Sequence, residues 1–525
     1  MATTVGGRVL PGRLAFVNVG GAGPAIAVLL VLATRIPLRT RYLLNWDAAQ
    51  FALGIAHFDV VHHQPHPPGY LVYIAAGRLL LPFFGDANSA LVALSIFGEC
   101  AGVVLAYLFA RELFGEWAGV TAALALALAP LFWYYGEAAN TYALEPATVM
   151  LVAWPCWRLW QRDAGAALPA GLALGLAGAV RPSTALFLLP LVVVALWRAV
   201  RIRESLLALG AAGVLTLAWV LPMIVLSGGP LPYVRALLQL GVQASDATAI
   251  WSTGLNGLLT LSIPAVMRGI VWELGAFAIV LVFGLAIAPR LTRTEPMPRG
   301  WLAFLGLWAL PALVTFLFIH IGQVVYVQVF LPALLLPLGP ALRNLALALG
   351  RPQLAPALLA LCLAANATLF VFPPRYSLSA QLQLHDARVA AMVALIREYD
   401  PERTLLVSDA QAVGAYREAQ IYLPEYHRLG VASDREGRLG QIFGDTYEPW
   451  RLERSQPPEF RPAVDTYVFL DPWIVKDFVA DPERLQVRKL PDGTKVYIWH
   501  GSSPQFRSGE IWVGQPYWAE RGLGA

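Results

Sequence analysis

What most constrains this chain is a succession of apolar runs, nearly free of charge, that recur from the first residues to about two-thirds of its length. A bilayer core takes about 20 apolar residues per helix, and by that criterion roughly eleven spans are expected. They begin near Leu14, Ser89, Trp117, Tyr142, Ala166, Thr184, Ser205, Val271, Trp301, Val324 and Leu354. Only 14% of the 525 residues are charged, against about a quarter in soluble proteins, which excludes a soluble fold of this size. A formal net charge of +4 is small for this length and gives no electrostatic footprint for a nucleic-acid partner.

Arginine placement sets the expected orientation. With a cytoplasmic N-terminus, the Arg-bearing connections at 111–112, 158–163, 198–204, 290–299 and 343–351 all fall inside. The opposite face receives 35–85, 137–141, Arg181, 228–268, 320–323 and the C-terminal region. Arg8 and Arg13 precede the first run without a small-x-small cleavage site, so that run reads as a retained span. Arg35, Arg39 and Arg41 leave it on the outer side, against the rule, suited to lipid headgroups or to an anionic ligand. Gly69 to Phe84 is short and carries Arg78, which predicts a helix lying at the membrane interface. Beyond Pro373-Pro374 the composition becomes that of a soluble protein. The expected division is a transmembrane domain over 1–372 and an extracytoplasmic α/β domain over 373–525. In the latter, helices are expected at Ala380–Tyr399 and Gln411–Glu418, and strands at Thr404–Val407, Tyr467–Leu470 and Lys495–Trp499. Cys100, Cys156 and Cys362 lie inside apolar runs with neither disulfide nor metal-ligand spacing.

The first outer loop, 35–87, carries the densest chemistry. Asn45 suits an N-cap opening a helix at Trp46. Asp47 then sits in the first turn, where a carboxylate also suits the helix dipole, with Gln50 and Phe51 one turn along. His66-Pro67-Pro68-Gly69 fixes an extended and then turning path. A rigid turn beside a carboxylate is what a preorganised site requires. A divalent metal on Asp47 and His66, with Asp59, His62 or His63, is the alternative use of these side chains, but the spacing matches no standard site. Further along, Glu137 ends an apolar span beside Tyr134, Tyr135 and Tyr142, where an acid is a candidate site residue. Arg181 breaks an otherwise apolar hairpin, in reach of headgroups or of a phosphate. Glu99 and Glu273 lie deeper and suit pairing with arginine. His320 and Gln323 flank a short outer loop. Trp133, Tyr134 and Tyr135 read as an interfacial aromatic belt.

The order of these features resembles the GT-C class of membrane glycosyltransferases, and within it the dolichyl-phosphate-mannose–protein mannosyltransferases. There an acidic residue lies early in the first extracytoplasmic loop, followed by a His-Pro-Pro-Leu/Gly element and an interfacial helix; here Asp47 precedes His66-Pro67-Pro68-Gly69. The likeness continues in Arg111-Glu112-Leu113-Phe114-Gly115, Glu137 and Arg181-Pro182, and covers roughly the first 200 residues. Where many relatives carry two adjacent acids, Trp46-Asp47-Ala48 holds one. The second acidic position, often Asp, is Glu137 here, with Glu145 two turns on.

The resemblance implies a GT-C-like fold and an inverting enzyme of the cell (inner) membrane that transfers a hexose or pentose from a polyprenyl-phosphate donor. The acceptor would be a hydroxyl of a protein, lipid or glycan on the extracytoplasmic face. Asp47 would serve as general base with Glu137 as second catalytic acid. His66, Arg181, Gln50, Tyr142 and Arg41 would bind donor phosphate or substrate. The rival class is a transporter or lipid-carrier flippase, whose usual paired halves have no counterpart in this sequence.

Overall fold

In the computed structural model the described residues are 22–292, 297–372, 377–410, 415–433, 439–443, 449–450, 464–479 and 482–501. The apolar runs are helices: α1 (Ala22–Leu38), α2 (Trp46–Ala56), α3 (Leu71–Phe84), α4 (Ala87–Phe114), α5 (Glu116–Ala127), α6 (Pro130–Gly136), α7 (Glu145–Trp160), α8 (Ala167–Val180), α9 (Pro182–Ala199), α10 (Ile202–Leu226) and α11 (Pro230–Thr248). Further helices span Trp301–Phe318, Leu338–Ala348 and Ala355–Val371. Among the described residues seven helical stretches are long and apolar enough to cross a membrane, and eight if the bent pair α5–α6 is one span. Shorter apolar helices, α1, α3, Ala164–Val180 and Phe277–Leu291, account for other expected runs. The expected start near Leu14 lies outside the described residues. Phe83, Trp197, Val214 and Leu302 stand exposed on the helix surfaces, an apolar exterior that suits lipid.

Three expectations are corrected here. The region 228–268, read as an outer connection, is largely helical from Pro230 to Leu274, with a break at Gly254; its scattered Arg, Asp and Gln residues mask the apolar pattern. Arg35 does not reach headgroups: it is fully buried, and its Nε donates to Glu99 Oε2 at 2.6 Å. Trp133 and Tyr135 are buried rather than belted at the interface, because α6 turns by 59° from α5 into the bundle.

That corner follows from Pro130, which has no N–H to continue the helix. It frees backbone groups that lipid cannot satisfy. Arg35 Nη2 donates to the Ala127 carbonyl at 2.8 Å, and the Phe132 N–H donates to Glu273 Oε2 at 3.2 Å. Arg35 has the sign favoured at the C-terminal end of α5. Gly136 has no Cβ, and one there would overlap the Glu99 carboxylate.

The C-terminal region forms a seven-stranded sheet. Its strands are β1 (Thr404–Asp409), β2 (His427–Ser433), β3 (Leu439–Phe443), β4 (Pro449–Trp450), β5 (Thr466–Phe469), β6 (Gln486–Lys489) and β7 (Lys495–His500). The order is β4-β3-β2-β1-β5-β7-β6, with β1 parallel to both β2 and β5 and the outer strands antiparallel. Alternate side chains build two cores, as the two-residue strand period requires. Leu406, Val468 and Ile498 pack on the helix Leu378–Ile396, while Leu405, Val407 and Phe469 pack on Ile474 and Val475. Part of the expected helix Gln411–Glu418 lies outside the described residues, and the helix seen is Tyr416–Tyr422. This domain sits on the first connecting segment. Asp386 accepts from the backbone N–H groups of Arg41 and Tyr42, the Leu43 N–H donates to the Tyr422 hydroxyl, and His385 Nε2 lies 3.0 Å from the Leu43 carbonyl.

Candidate functional site

The site begins with the start of α2. The Asn45 side chain accepts from the Ala48 N–H at 3.0 Å, the cap its residue type predicts. This fixes Asp47 in the first helical turn. The chain then leaves α2 and folds back through a short hairpin closed by paired backbone bonds between Asp59 and Gln64. The return strand passes α2 at Gly54, where an added Cβ would meet Pro65 at 2.8 Å. That close passage brings His66 alongside Asp47: His66 Nδ1 lies 3.8 Å from Asp47 Oδ1, and the two side chains are 14% and 22% exposed. A separation of 3.8 Å is too long for a hydrogen bond. Arg78 of α3 donates to the carbonyls of Ile55 and Gly54, satisfying the end of α2. Tyr233 of α11 donates to the Pro68 carbonyl at 3.0 Å.

Tyr70 enters in the left-handed region (φ 48°, ψ 39°), a conformation costing a non-glycine residue about 1–2 kcal/mol. Its ring lies 5.0 Å from that of His66 and 5.2 Å from that of Phe51. Burial pushes its phenol above the usual range, leaving a neutral hydroxyl. Burial also lowers the His66 imidazole; Asp47 opposes this, and Arg181 and Arg417 reinforce it. His66 is therefore neutral near pH 7.

Facing this loop is the break between α8 and α9. Pro182 at the start of α9 forces the chain to kink, and Arg181, the residue before it, turns inward. Its Nη1 donates to Glu145 Oε2 at 3.2 Å, and Glu145 also accepts from the Thr184 hydroxyl. The guanidinium lies 4.4 Å from the Tyr142 ring centroid and 5.2 Å from that of Tyr326. Tyr70, Tyr142 and Tyr326 are each within electrostatic reach of both Asp47 and Arg181. Asp47, His66, Tyr142 and Arg181, from three separate stretches of sequence, thus border one site. Gln50 is fully buried one turn from Asp47, and neither atom of its amide has a hydrogen-bond partner among the described residues.

Two candidates fall elsewhere. Glu137 is fully buried, and its Oε1 accepts from Trp133 Nε1 at 2.6 Å, in the cluster holding Arg35 and Glu99. Arg41 is exposed at the junction with the α/β domain, near Asp386. His62 pairs with Asp59 at 2.5 Å, His320 lies 2.9 Å from the Thr248 hydroxyl, and Gln323 accepts from Tyr135 at 3.3 Å. Among the described residues no group of three His, Cys, Asp or Glu side chains converges as metal ligands. The Asp47–His66 pair alone falls short of a ligand set.

Tyr70, Glu145 and Tyr326 also border these groups. Tyr70 adjoins the His-Pro-Pro-Gly turn, a signal available in the sequence. Tyr326 arrives from a 3₁₀ segment (Val324–Val329) far along the chain and carries no local signal.

Residues 65–225 match the family model of dolichyl-phosphate-mannose-protein mannosyltransferase. The matched stretch runs from the return strand through α10; it includes His66, Tyr142 and Arg181 and begins after Asp47. In fold the chain is similar to ArnT from Cupriavidus metallidurans bound to undecaprenyl phosphate, with a TM-score of 0.58, 14% identity, and 91% of this chain and 97% of that chain covered. The apo form of the same protein gives a TM-score of 0.55 at 14% identity, with the same shares covered. None of the curated proteins matches the chain in sequence. The resemblance to the mannosyltransferases read from the loop motif is matched by the family model over residues 65–225, and the fold is shared with ArnT.

Proposed function

We propose that this chain is an inverting glycosyltransferase that moves a sugar from a polyprenyl phosphate to an acceptor hydroxyl on the extracytoplasmic face of the cell (inner) membrane. The observation that carries this reading is the convergence of Asp47, His66 and Arg181 at the junction between helix bundle and loop. The family match and the ArnT-like fold support it, and the ArnT structure with undecaprenyl phosphate supports a lipid-phosphate donor.

In this reading Asp47 accepts the proton of the acceptor hydroxyl as its oxygen attacks the anomeric carbon. The bond from that carbon to the donor phosphate breaks, and its electron pair leaves with the phosphate. One displacement from the face opposite the phosphate inverts the anomeric centre. General-base assistance of this kind is worth about 10²–10⁴-fold. Arg181 receives the developing phosphate charge. Glu145 is its hydrogen-bond partner among the described residues, so further N–H groups remain for phosphate oxygens. Neutral His66, the Tyr70 hydroxyl and the Gln50 amide offer hydrogen bonds to sugar or acceptor. Arg41 and Glu137 do not border these groups, and we assign them structural roles.

The test uses purified full-length protein with a radiolabelled polyprenyl-phosphate sugar, assayed for transfer to acceptor or to water. Turnover requiring Asp47 supports the reading. Movement of the lipid across proteoliposomes with no cleavage of the sugar–phosphate bond would establish the carrier function instead.

A further inference from the structure

We propose that Arg417 is a positioning residue through which the α/β domain holds the Asp47 and His66 arms of the loop in register. The proposal rests on the reading of that loop as the transfer site. Arg417 lies in the short helix Tyr416–Tyr422 and is fully buried although it belongs to the domain outside the bundle. That helix packs on α2. The guanidinium lies 5.4 Å from the ring centroid of Trp46, the residue before Asp47. Its Nη2 donates to the His62 carbonyl at 2.7 Å, in the hairpin that leads to His66. Its Nη1 donates to Gln420 at 2.9 Å, which fixes the fork within its own helix. One planar cation therefore touches both arms of the site, an arrangement lysine cannot reproduce.

A second set of contacts between domain and loop lies ahead of α2. Tyr422, His385 and Asp386 engage Leu43, Tyr42 and Arg41, ahead of α2. These contacts fasten the domain to the segment leaving α1, whereas Arg417 reaches the segments that carry the reacting groups. Its charge also faces the imidazoles. His66 is surrounded by Asp47 from α2, Arg181 from the α8–α9 break and Arg417 from the α/β domain. His63 feels His66, Arg417 and His62. With both imidazoles held neutral, the loop avoids cation–cation repulsion against Arg417.

The experiment compares full-length Arg417→Gln, Arg417→Lys and Tyr422→Phe in nanodiscs. Amide hydrogen exchange over 57–66 is read alongside kcat and donor KM for a labelled polyprenyl-phosphate sugar. Arg417→Gln is expected to raise exchange over 57–66 by about tenfold while the β1 and β5 amides stay protected. It is expected to lower kcat by about 10–100-fold with donor KM little changed, since displacement rather than binding is impaired. Lysine fails to restore kcat, and Tyr422→Phe leaves both readouts near wild type. Unchanged exchange over 57–66 in Arg417→Gln overturns the proposal. So does raised exchange with undiminished kcat, or a rise spread across the whole α/β domain. Exchange needs no turnover, so it still decides the clamp if the wild-type chain transfers no sugar, a result that would sink the transferase reading separately.

Discussion

Two groups of buried charge occupy this molecule, and they are wired differently. Around Arg35 each charged side chain meets a partner at close range: the ion pair to Glu99 at 2.6 Å, the bond to the Ala127 carbonyl at 2.8 Å, and Trp133 to Glu137 at 2.6 Å. Around Arg181 the lower half is equally well tied, through Glu145 and Thr184. The upper half is not: Asp47 and His66 stand 3.8 Å apart, and the Gln50 amide and His66 Nδ1 have no hydrogen-bond partner among the described residues. The first group is closed off, with Arg35 and Glu99 fully buried, whereas Asp47, His66 and Arg181 keep partial exposure. Both groups leave buried atoms without a hydrogen-bond partner among the described residues, Glu99 Oε1 and Glu137 Oε2 in one, the Gln50 amide and His66 Nδ1 in the other. The second is therefore set apart by its partial access and its loosely held Asp47.

Substitutions can break or sharpen this contrast. The largest effect is expected for Asp47→Asn, with sugar transfer falling about 10²–10⁴-fold and the thermal midpoint in detergent holding; full turnover would remove the base from the scheme. Next comes Glu99→Ala, which strands Arg35 and should cost about 3–5 kcal/mol of stability, read as a lowered unfolding midpoint. An unaltered midpoint would show that the first group is not structural. Arg181→Gln should lower transfer about 10²–10³-fold, the range for losing a donor aimed at developing charge. Assay with a donor whose leaving phosphate is better stabilised should recover part of the loss. Acid should loosen the junction more gently. Burial, with the neighbouring charges, depresses His63 to about 3, and burial with Arg388 depresses His385 to about 4. The unfolded chain, with histidines near about 6.5, binds more protons than the folded one in this window. Stability is complete above about pH 6.5 and declines as pH falls toward 4 and then 3. Melting curves for His385→Asn should show a shallower decline, and a slope equal to wild type would contradict it. The smallest effect is expected for Glu137→Gln, with transfer within about threefold of wild type; a loss comparable to that of Asp47→Asn would move Glu137 into the reaction.

Local features were legible in the sequence. Asn45 as cap, Asp47 in the first turn, the short helix ending at Phe84, and Arg181 at a broken hairpin each depend on neighbours a few residues away. The central strands of the α/β domain were readable for the same reason. The choice between Glu137 and Glu145 was not. Both acids lie at the same end of the bundle, and a 59° corner followed by a 3₁₀ turn over Thr141–Leu144 decides which one meets Arg181. Tyr326 and Arg417 reach the site from remote segments, and no periodicity encodes such meetings. The helical run from Pro230 was hidden for another reason, since polar side chains interrupt its apolar face.

The corner between α5 and α6 has a practical consequence for anyone recombining this chain with its relatives. Arg35 and Glu273, far apart in sequence, act there as substitutes for the hydrogen bonds that Pro130 interrupts. A chimera that imports a straight helix at this point would remove the backbone partners of Arg35 Nη2 and Glu273 Oε2, and one that imports the proline alone would leave the Ala127 carbonyl and the Phe132 N–H without theirs. The proline, the cation and the carboxylate form a single exchangeable unit, and crossover points have to be chosen so that all three travel together.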